Sequence, residues 1–223
     1  MRMQTFENFV VGKSNEAAYA LAKLVAERKS SYNPVMIYGR CGNGRTHLAK
    51  AMETELRKSG ANAQVLGEFE LTAWIVAGVK RQPDYTPAVM YQEFSALDVL
   101  IVEDIQMMAG KESLQQYFAE LMKLFVENGK QVVLTSDMTL KKLSILNKSL
   151  FLQLQTAKCV KIREPEQEVK EQFLQMKASN HKILLSQETV KELCGYAESM
   201  RQLDSAWTNY YFRRSYIGDT NDC

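Results

Sequence analysis

A glycine-rich segment between an apolar run and a helical pattern constrains this chain most strongly. Residues 34–38 (PVMIY) are apolar, residues 39–46 (GRCGNGRT) carry three glycines, and helical periodicity follows over residues 46–59. The order matches G-x-x-x-x-G-K-[ST] in its strand–loop–helix context, except that Arg45 replaces the lysine. Such a loop points backbone N–H groups inward, and the next helix adds its positive end, so we expect a phosphate cradle. The alternative interpretation is a tight turn without a ligand.

Short apolar runs alternate with longer amphipathic stretches through most of the chain. This alternation predicts an α/β fold, a doubly wound parallel sheet of five strands covered by helices on both faces. The expected strands are 34–38, 63–66, 99–102, 131–135 and, more weakly patterned, 159–162. The expected helices beside them are 46–59, 71–80 and 114–128.

The pattern changes after Arg163, where three helical segments follow without a further strand. Pro165 suits the first turn of one helix, Ser186 precedes another, and Ser199 with Gln202 forms a capping box for the last. We therefore predict two parts, an α/β subdomain over residues 1–163 and a small helical lid over residues 164–223.

Composition limits the classes of protein that remain. The 223 residues are 46% hydrophobic, enough for one large domain or for one domain with a small appendage, and the net charge of +2 provides no overall attraction for nucleic acid or anionic membranes. The four cysteines form no CxxC pair, which argues against zinc and against a disulfide framework. No run reaches the roughly 18 apolar residues of a membrane span. We expect a cytoplasmic protein without a membrane partner.

Two carboxylates, Glu103 and Asp104, end the apolar run at 99–102. In P-loop proteins, carboxylates at this point lie beside the phosphate loop and serve the metal and the attacking water. We expect Thr46 and Glu103 to be ligands of a candidate Mg²⁺ ion and Asp104 to be the catalytic residue. A solvated strand end is the alternative.

Further segments resemble, in order, the AAA+ domain of the bacterial replication initiator family DnaA. They are FENFVVGKSN (6–15), YNP (32–34), THL (46–48), EDIQ (103–106) with AGKE (109–112), GKQ (129–131), LTSD (134–137) and MRQLD (200–204). The similarity covers nearly the whole chain and separates this family from other P-loop nucleotidases.

The resemblance implies an adenine-nucleotide site, for ATP or ADP, between the glycine-rich loop and the lid. Asp137 would be the first sensor of the γ-phosphate and Arg201 the second. Because the first turn of a helix disfavours a cation, an anion would relieve a mismatch at Arg201; a solvated surface arginine is the alternative. The nucleotide-binding residues that the resemblance implies are Val11, Asn15, Cys41, Gly42, Asn43, Gly44, Arg45, Thr46, His47, Asp137 and Arg201.

The chain departs from the family pattern at positions that serve hydrolysis. Arg45 is longer and planar where the family has lysine, and Glu103 is one methylene longer than the family's aspartate. Ser149 and Gln153 fall where the family has arginines that act on the neighbouring subunit, and Ser95 falls where it has an arginine that contacts single-stranded DNA.

The family's DNA-reading domain is not expected, since the chain ends where the lid should finish, and we predict no base-specific binding to duplex DNA. The basic pairs Lys80–Arg81, Lys141–Lys142 and Arg213–Arg214 could touch phosphates or could be solvated faces.

These features predict an adenine-nucleotide-binding accessory or regulatory factor in replication initiation, with impaired ATP hydrolysis. The expected partner is another AAA+ replication protein such as DnaA, or a second copy of this chain. A slow but active ATPase and a nucleotide-free interaction domain are the alternatives.

Overall fold

Five short strands form one parallel sheet in this computed structural model, which describes residues 4–82 and 84–217. Their order across the sheet is β2-β3-β4-β1-β5. The strands are β1 Val35–Tyr38, β2 Ala63–Leu66, β3 Val99–Val102, β4 Gln131–Ser136 and β5 Lys158–Lys161. The four confidently patterned strands are confirmed. β5 begins one residue earlier than predicted and exposes Lys158 and Lys161 on the edge of the sheet, where lysines discourage further strand pairing.

The register brings the ends of three strands to one edge. β1 pairs with β4, so that Tyr38 lies opposite Ser136, and β3 pairs with β4, so that Val102 lies opposite Leu134. The loops that follow β1, β3 and β4 are therefore neighbours at the carboxyl edge, where open α/β sheets bind ligands.

Helices cover both faces of the sheet, as the continuous apolar strands require. Val35 and Ile37 belong to one buried cluster and Met36, between them, belongs to the other. The helices are α1 Glu16–Ala26, α2 Arg45–Lys58, α3 Glu68–Arg81, α4 Pro87–Glu93, α5 Glu112–Glu127, α6 Lys148–Leu154, α7 Gln167–Asn180, α8 Gln187–Gly195 and α9 Met200–Phe212. α1 and α2 pack on the first face, and α4, α5 and α6 on the second, which confirms the doubly wound fold.

Helices α7, α8 and α9 form the lid and share a hydrophobic cluster of their own, centred on Leu174, Leu193 and Trp207. The predicted caps are present: Ser186 Oγ accepts from the Thr189 N–H, and Ser199 Oγ accepts from the Gln202 N–H. The predicted division at residues 163 and 164 falls in the link between β5 and α7 and stays a prediction, and Cys223 lies outside the described residues.

The expectation for Pro165 was wrong. α7 begins at Gln167 with the extended Glu166 as its N-cap, so Pro165 precedes the helix. The Glu166 carboxylate accepts the Ser14 N–H at 3.1 Å, which holds this residue against the N-terminal segment and outside the helix. Among the described residues, no helix is both long and apolar enough to cross a membrane.

Gly78, inside α3, generates a prediction about stability. A Cβ there would lie 2.3 Å from ring carbons of Tyr85, whereas a Cβ at Gly195, at the end of α8, would meet nothing within 4 Å. Gly78→Ala should destabilise the fold by about 1–3 kcal/mol through overpacking. Gly195→Ala, the matched control, should stabilise it by up to about 1 kcal/mol. Urea denaturation of both variants measures the difference, and equal effects would contradict the packing of α3 on Tyr85.

Candidate functional site

The phosphate loop, residues 39–46, runs from the end of β1 into the first turn of α2. Gly42 and Gly44 have φ values of 85° and 106°, in the left-handed region that favours glycine. Gly44 is the N-cap of α2, yet no side chain caps this end and no acidic residue lies in the first turn. Because the first N–H groups of a helix have no partner within it, this end of α2 can bind an anion through its backbone.

Arg45 is buried, with 7% of its surface exposed, and its cation faces a carboxylate. Its Nη1 donates to Asp104 Oδ1 at 2.5 Å, and the same oxygen accepts from Gln106 Nε2 at 3.0 Å. The buried Arg45 Nε has no hydrogen-bond partner. The pair ties the start of α2 to the end of β3, so the charge of Arg45 is already matched within the chain.

Glu103, beside Asp104, is partly buried. Burial raises the pKa of Glu103 above its usual range and the nearby charge of Asp104 adds to this, whereas the Thr46 hydroxyl opposes it. Glu103 Oε1 is buried without a hydrogen-bond partner. An orphaned carboxylate oxygen close to a threonine hydroxyl suits a divalent cation.

Thr46 and Glu103 together suit a cation that needs few protein ligands. Among the described residues, no cluster of three His, Cys, Asp or Glu side chains could hold a metal alone. Mg²⁺ commonly uses one or two carboxylates together with phosphates and water. Thr46 and Glu103 therefore fit a Mg²⁺ ion that depends on a phosphate ligand.

The lid touches the phosphate loop through Arg201. Its backbone N–H donates to Gly42 O at 3.1 Å, and its Nη1 donates to Cys41 Sγ at 3.2 Å. Arg40 adds an exposed ion pair to Glu164 at 2.6 Å, between the loop and the segment before α7. Arg201 lies in the first turn of α9, as predicted, so its cation stays at the unfavourable end of the helix dipole.

A cavity of about 230 Å³, here called the loop–lid cavity, lies between these elements. Eight predicted site residues line it, namely Cys41, Gly42, Gly44, Arg45, Thr46, His47, Asp104 and Arg201. Sequence reasoning missed Gln4, Phe173, Met200 and Asp204. Met200 and Asp204 belong to the same MRQLD segment as Arg201 and could have been found there. No motif marks Gln4 or Phe173.

Other predicted site residues do not line this cavity, and their roles in nucleotide binding stay predictions. Asn15 is buried and shapes the preceding turn: its Oδ1 accepts the Gly12 N–H and its Nδ2 donates to Val10 O. Val11 is 40% exposed on the same turn. Asn43 Nδ2 donates to Arg163 O at 3.4 Å.

Glu103 and Asp137 also lie outside the cavity lining. Glu103 lines an adjacent hollow that it shares with Asp104 and Lys50. Asp137 is exposed, and its N–H donates to Gln106 Oε1 at 3.3 Å. Gln106 thereby connects the two strand ends that carry Asp104 and Asp137.

His47 joins the phosphate loop to the N-terminal segment. Its Nε2 lies 2.8 Å from Thr5 O, and its ring meets the Phe9 ring edge-on. Burial lowers the pKa of His47, so the imidazole is neutral at pH 7. Its predicted contact with a nucleotide stays a prediction.

The positions expected to lack subunit-bridging arginines lie on α6. Ser149 is exposed, and Gln153 Nε2 donates to Ala119 O at 2.8 Å, a bond within the domain. α6 reads KSLFLQL and contains no arginine.

A parallel five-stranded sheet, a glycine-rich loop between β1 and α2, and a helical lid on that loop define a P-loop domain of the AAA+ class. The family model described as bacterial DnaA ATPase domain matches residues 1–161. The chain belongs to that family.

Relatives agree with this assignment. The chain is 33% identical over 187 residues to a chromosomal replication initiator protein DnaA of Helicobacter hepaticus and 32% identical over 206 residues to that of Nautilia profundicola. These alignments cover 83% and 92% of this chain but only 40% and 46% of the relatives. The chain thus spans less than half the length of these curated relatives.

Solved structures have the same fold. Domain III of DnaA from Thermotoga maritima superposes with a TM-score of 0.88 at 24% identity, over 100% of this chain and 93% of that one. AMPPCP-bound DnaA from Aquifex aeolicus gives 0.87 at 26% identity, over 98% and 68% of the two chains. A replication initiator DnaA bound to AMPPCP and single-stranded DNA gives 0.86 at 25% identity, over 96% and 66%.

The contact between the phosphate loop and the lid can be tested with a matched pair of glycine variants. A Cβ at Gly42 would stand 3.0 Å from Arg201 Cβ and from Ser199 Oγ, closer than an ordinary contact. Gly60 has a similar φ, 82°, but open space around it. Gly60→Ala should cost about 1 kcal/mol of stability through strain alone, and Gly42→Ala should cost about 1 kcal/mol more.

Urea denaturation measures both costs, and hydrogen exchange at the Arg201 amide should speed up only in Gly42→Ala. Equal losses and equal exchange rates in the two variants would show that the lid does not rest on Gly42.

Glu103 generates a prediction about pH. Its pKa is raised in the folded state, so the folded state binds more protons between the unfolded and folded pKa values, and stability falls as pH rises through that window. Glu103→Gln should therefore stabilise the protein at pH 7 by on the order of 1 kcal/mol. The gain should disappear below the unfolded pKa.

Thermal melts from pH 4 to pH 8 measure this, with the exposed Glu120→Gln on α5 as the control. A gain that is independent of pH, or that the control shares, would contradict the buried environment of Glu103.

Proposed function

We propose that this chain binds ADP or ATP between the phosphate loop and the lid, has impaired ATP hydrolysis with negligible turnover, and acts as an accessory or regulatory factor in DNA replication initiation. The observation that carries the proposal is the contact of Arg201 with Gly42, which brings the lid onto an uncapped helix end. A ligand in this position would touch both parts of the domain and could couple them.

The chemistry of the loop supports a phosphate ligand. Backbone N–H groups at the start of α2, the Thr46 hydroxyl and two arginines converge on the loop–lid cavity. The solved relatives bound to AMPPCP support an adenine nucleotide as the ligand. Mg²⁺, bound by Thr46 and Glu103, would supply charge neutralisation for the phosphates.

Three features support impaired hydrolysis. Asp104 Oδ1 already accepts from Arg45 and Gln106, so this oxygen is not free to orient the attacking water. Glu103 is one methylene longer than the family's aspartate, which would displace a metal ion at this site. Copies of this chain would also lack an arginine on α6 for their neighbours, and arginine fingers contribute roughly 10³ to 10⁵ in rate.

Nucleotide binding is tested by thermal melts. The melts use 1 mM ADP or 1 mM ATP, and a nucleotide that binds with a Kd on the order of 10 µM should stabilise the folded state by roughly 2.7 kcal/mol and raise Tm by several degrees. Phosphate release, followed in parallel, should stay near background. The double variant Arg45→Lys with Glu103→Asp should increase the Mg²⁺-dependent part of the shift.

The outcomes separate the three candidate functions. An unchanged Tm with both nucleotides would leave only a nucleotide-free interaction domain. A shift with steady phosphate release would identify a slow ATPase and contradict the proposed impairment. A double variant without stronger Mg²⁺ dependence would mean that Thr46 and Glu103 do not form the metal site.

The partner that fits best is an AAA+ replication protein such as DnaA. AAA+ subunits join head to tail, and such heterologous contacts can propagate into filaments. This chain has the nucleotide-bearing face, whereas Ser149 is a short side chain and Gln153 is bonded within the domain. It would accept an arginine from a neighbour and give none, which would make it an end cap on an initiator filament.

Mixing the chain with ATP-loaded initiator from the same cell tests this role. Filaments should shorten as its proportion rises, while phosphate release by the initiator should not increase. Stimulated hydrolysis, abolished by mutating an arginine of this chain, would reveal a finger outside α6 and overturn the end-cap proposal.

A further inference from the structure

Arg45 stands at the position that P-loop proteins use to bind the outer phosphates. In this chain its guanidinium is already paired with Asp104. In the motif, the cation at this position reaches the β- and γ-phosphates, while backbone N–H groups of the loop cradle the α- and β-phosphates. Here the guanidinium donates to Asp104 Oδ1 at 2.5 Å and is only 7% exposed. The inner phosphates can be held without this cation, but the outer one depends on it.

The loop–lid cavity has little surplus of positive charge. Its charged lining consists of Arg45 and Arg201 against Asp104 and Asp204, which sum to zero formal charge. Lys177 Nζ, outside the lining, pairs with Asp204 Oδ1 at 2.5 Å and brings the local sum to +1. Burial lowers the pKa of His47, so its imidazole adds no positive charge at pH 7. Each additional phosphate charge therefore meets a site with little left to neutralise it.

We infer that the site selects nucleoside diphosphates over triphosphates, and that Asp104, by holding Arg45, is the residue that sets this preference. The inference rests on the proposed nucleotide binding. A third phosphate could recruit Arg45 only by placing two anions, itself and Asp104, beside one guanidinium. Like charges brought together in this way oppose binding. A diphosphate uses the backbone of residues 42–46 and leaves the ion pair intact.

Isothermal titration calorimetry with ADP and with AMPPCP, which avoids hydrolysis, tests the preference in the presence and absence of Mg²⁺. In the unmodified chain, ADP should bind at least about tenfold more tightly than AMPPCP under both conditions. Asp104→Asn removes the charge and suits the backbone, because Asp104 has a φ of 52° and asparagine tolerates this region. In that variant, AMPPCP should bind more tightly, so that the Kd values of ADP and AMPPCP differ by less than about threefold.

Asp204→Asn is the matched control, since it removes a carboxylate from the same cavity but leaves Arg45 and Asp104 paired. It should change the ratio of the two affinities by less than about twofold. Arg45→Lys is a second test of the ion pair with Asp104. Because the lysine cation is shorter and more mobile, this variant should also reduce the ratio of the ADP affinity to the AMPPCP affinity. Circular dichroism verifies that each variant is folded.

The outcomes are distinct. Equal affinities in the unmodified chain, or tighter binding of AMPPCP, would overturn the preference while leaving nucleotide binding established. If Asp204→Asn reduces the ratio of the ADP affinity to the AMPPCP affinity as much as Asp104→Asn does, the ion pair does not set the preference. Binding of neither ligand would refute the proposed function itself.

Discussion

The shared carboxyl edge of β1, β3 and β4 is the constraint on which the site depends. Parallel pairing places Tyr38, Val102 and Ser136 at neighbouring strand ends, so the segments after them must meet. The phosphate loop follows Tyr38, the two carboxylates follow Val102, and Asp137 follows Ser136. Gln106 connects the segments after β3 and β4, since its side-chain amide nitrogen donates to Asp104 and its side-chain oxygen accepts from Ser136 and Asp137. Apolar strands buried on both faces hold this edge rigidly.

Two sets of contacts join this edge to the rest of the site. Arg45 and Asp104 lock the loop to the end of β3 through a buried charge, and removal of one partner from such a pair is expensive. Arg201 and Gly42 join the loop to the lid by one backbone hydrogen bond and a weak contact to the Cys41 thiol, and Arg40 adds exposed ion pairs to Glu164 and Glu198. The first set is strong and the second is weak. The lid should therefore open more easily than the loop rearranges, and ligand exchange should proceed by lid motion.

Much of the fold could be predicted because its signals are local. The four core strands, the caps at Ser186 and Ser199, and the phosphate loop all follow from short patterns. α4 was missed although Thr86 and Pro87 form a clear helix start, because the helix has only seven residues. Pro165 was misplaced because Glu166 is held by Ser14, a contact 152 residues away in sequence. The motif identified Arg45 and Asp104, but their direct pairing depends on how the sheet brings α2 to β3.

A crystal structure grown with ADP and Mg²⁺ tests the central claim most directly. The account predicts phosphates against the backbone N–H groups of residues 42–46, Arg201 closed over the loop, and Arg45 still paired with Asp104. Nucleotide bound elsewhere on the domain, or no nucleotide at the phosphate loop at millimolar concentration, would contradict the claim that loop and lid form an adenine-nucleotide site.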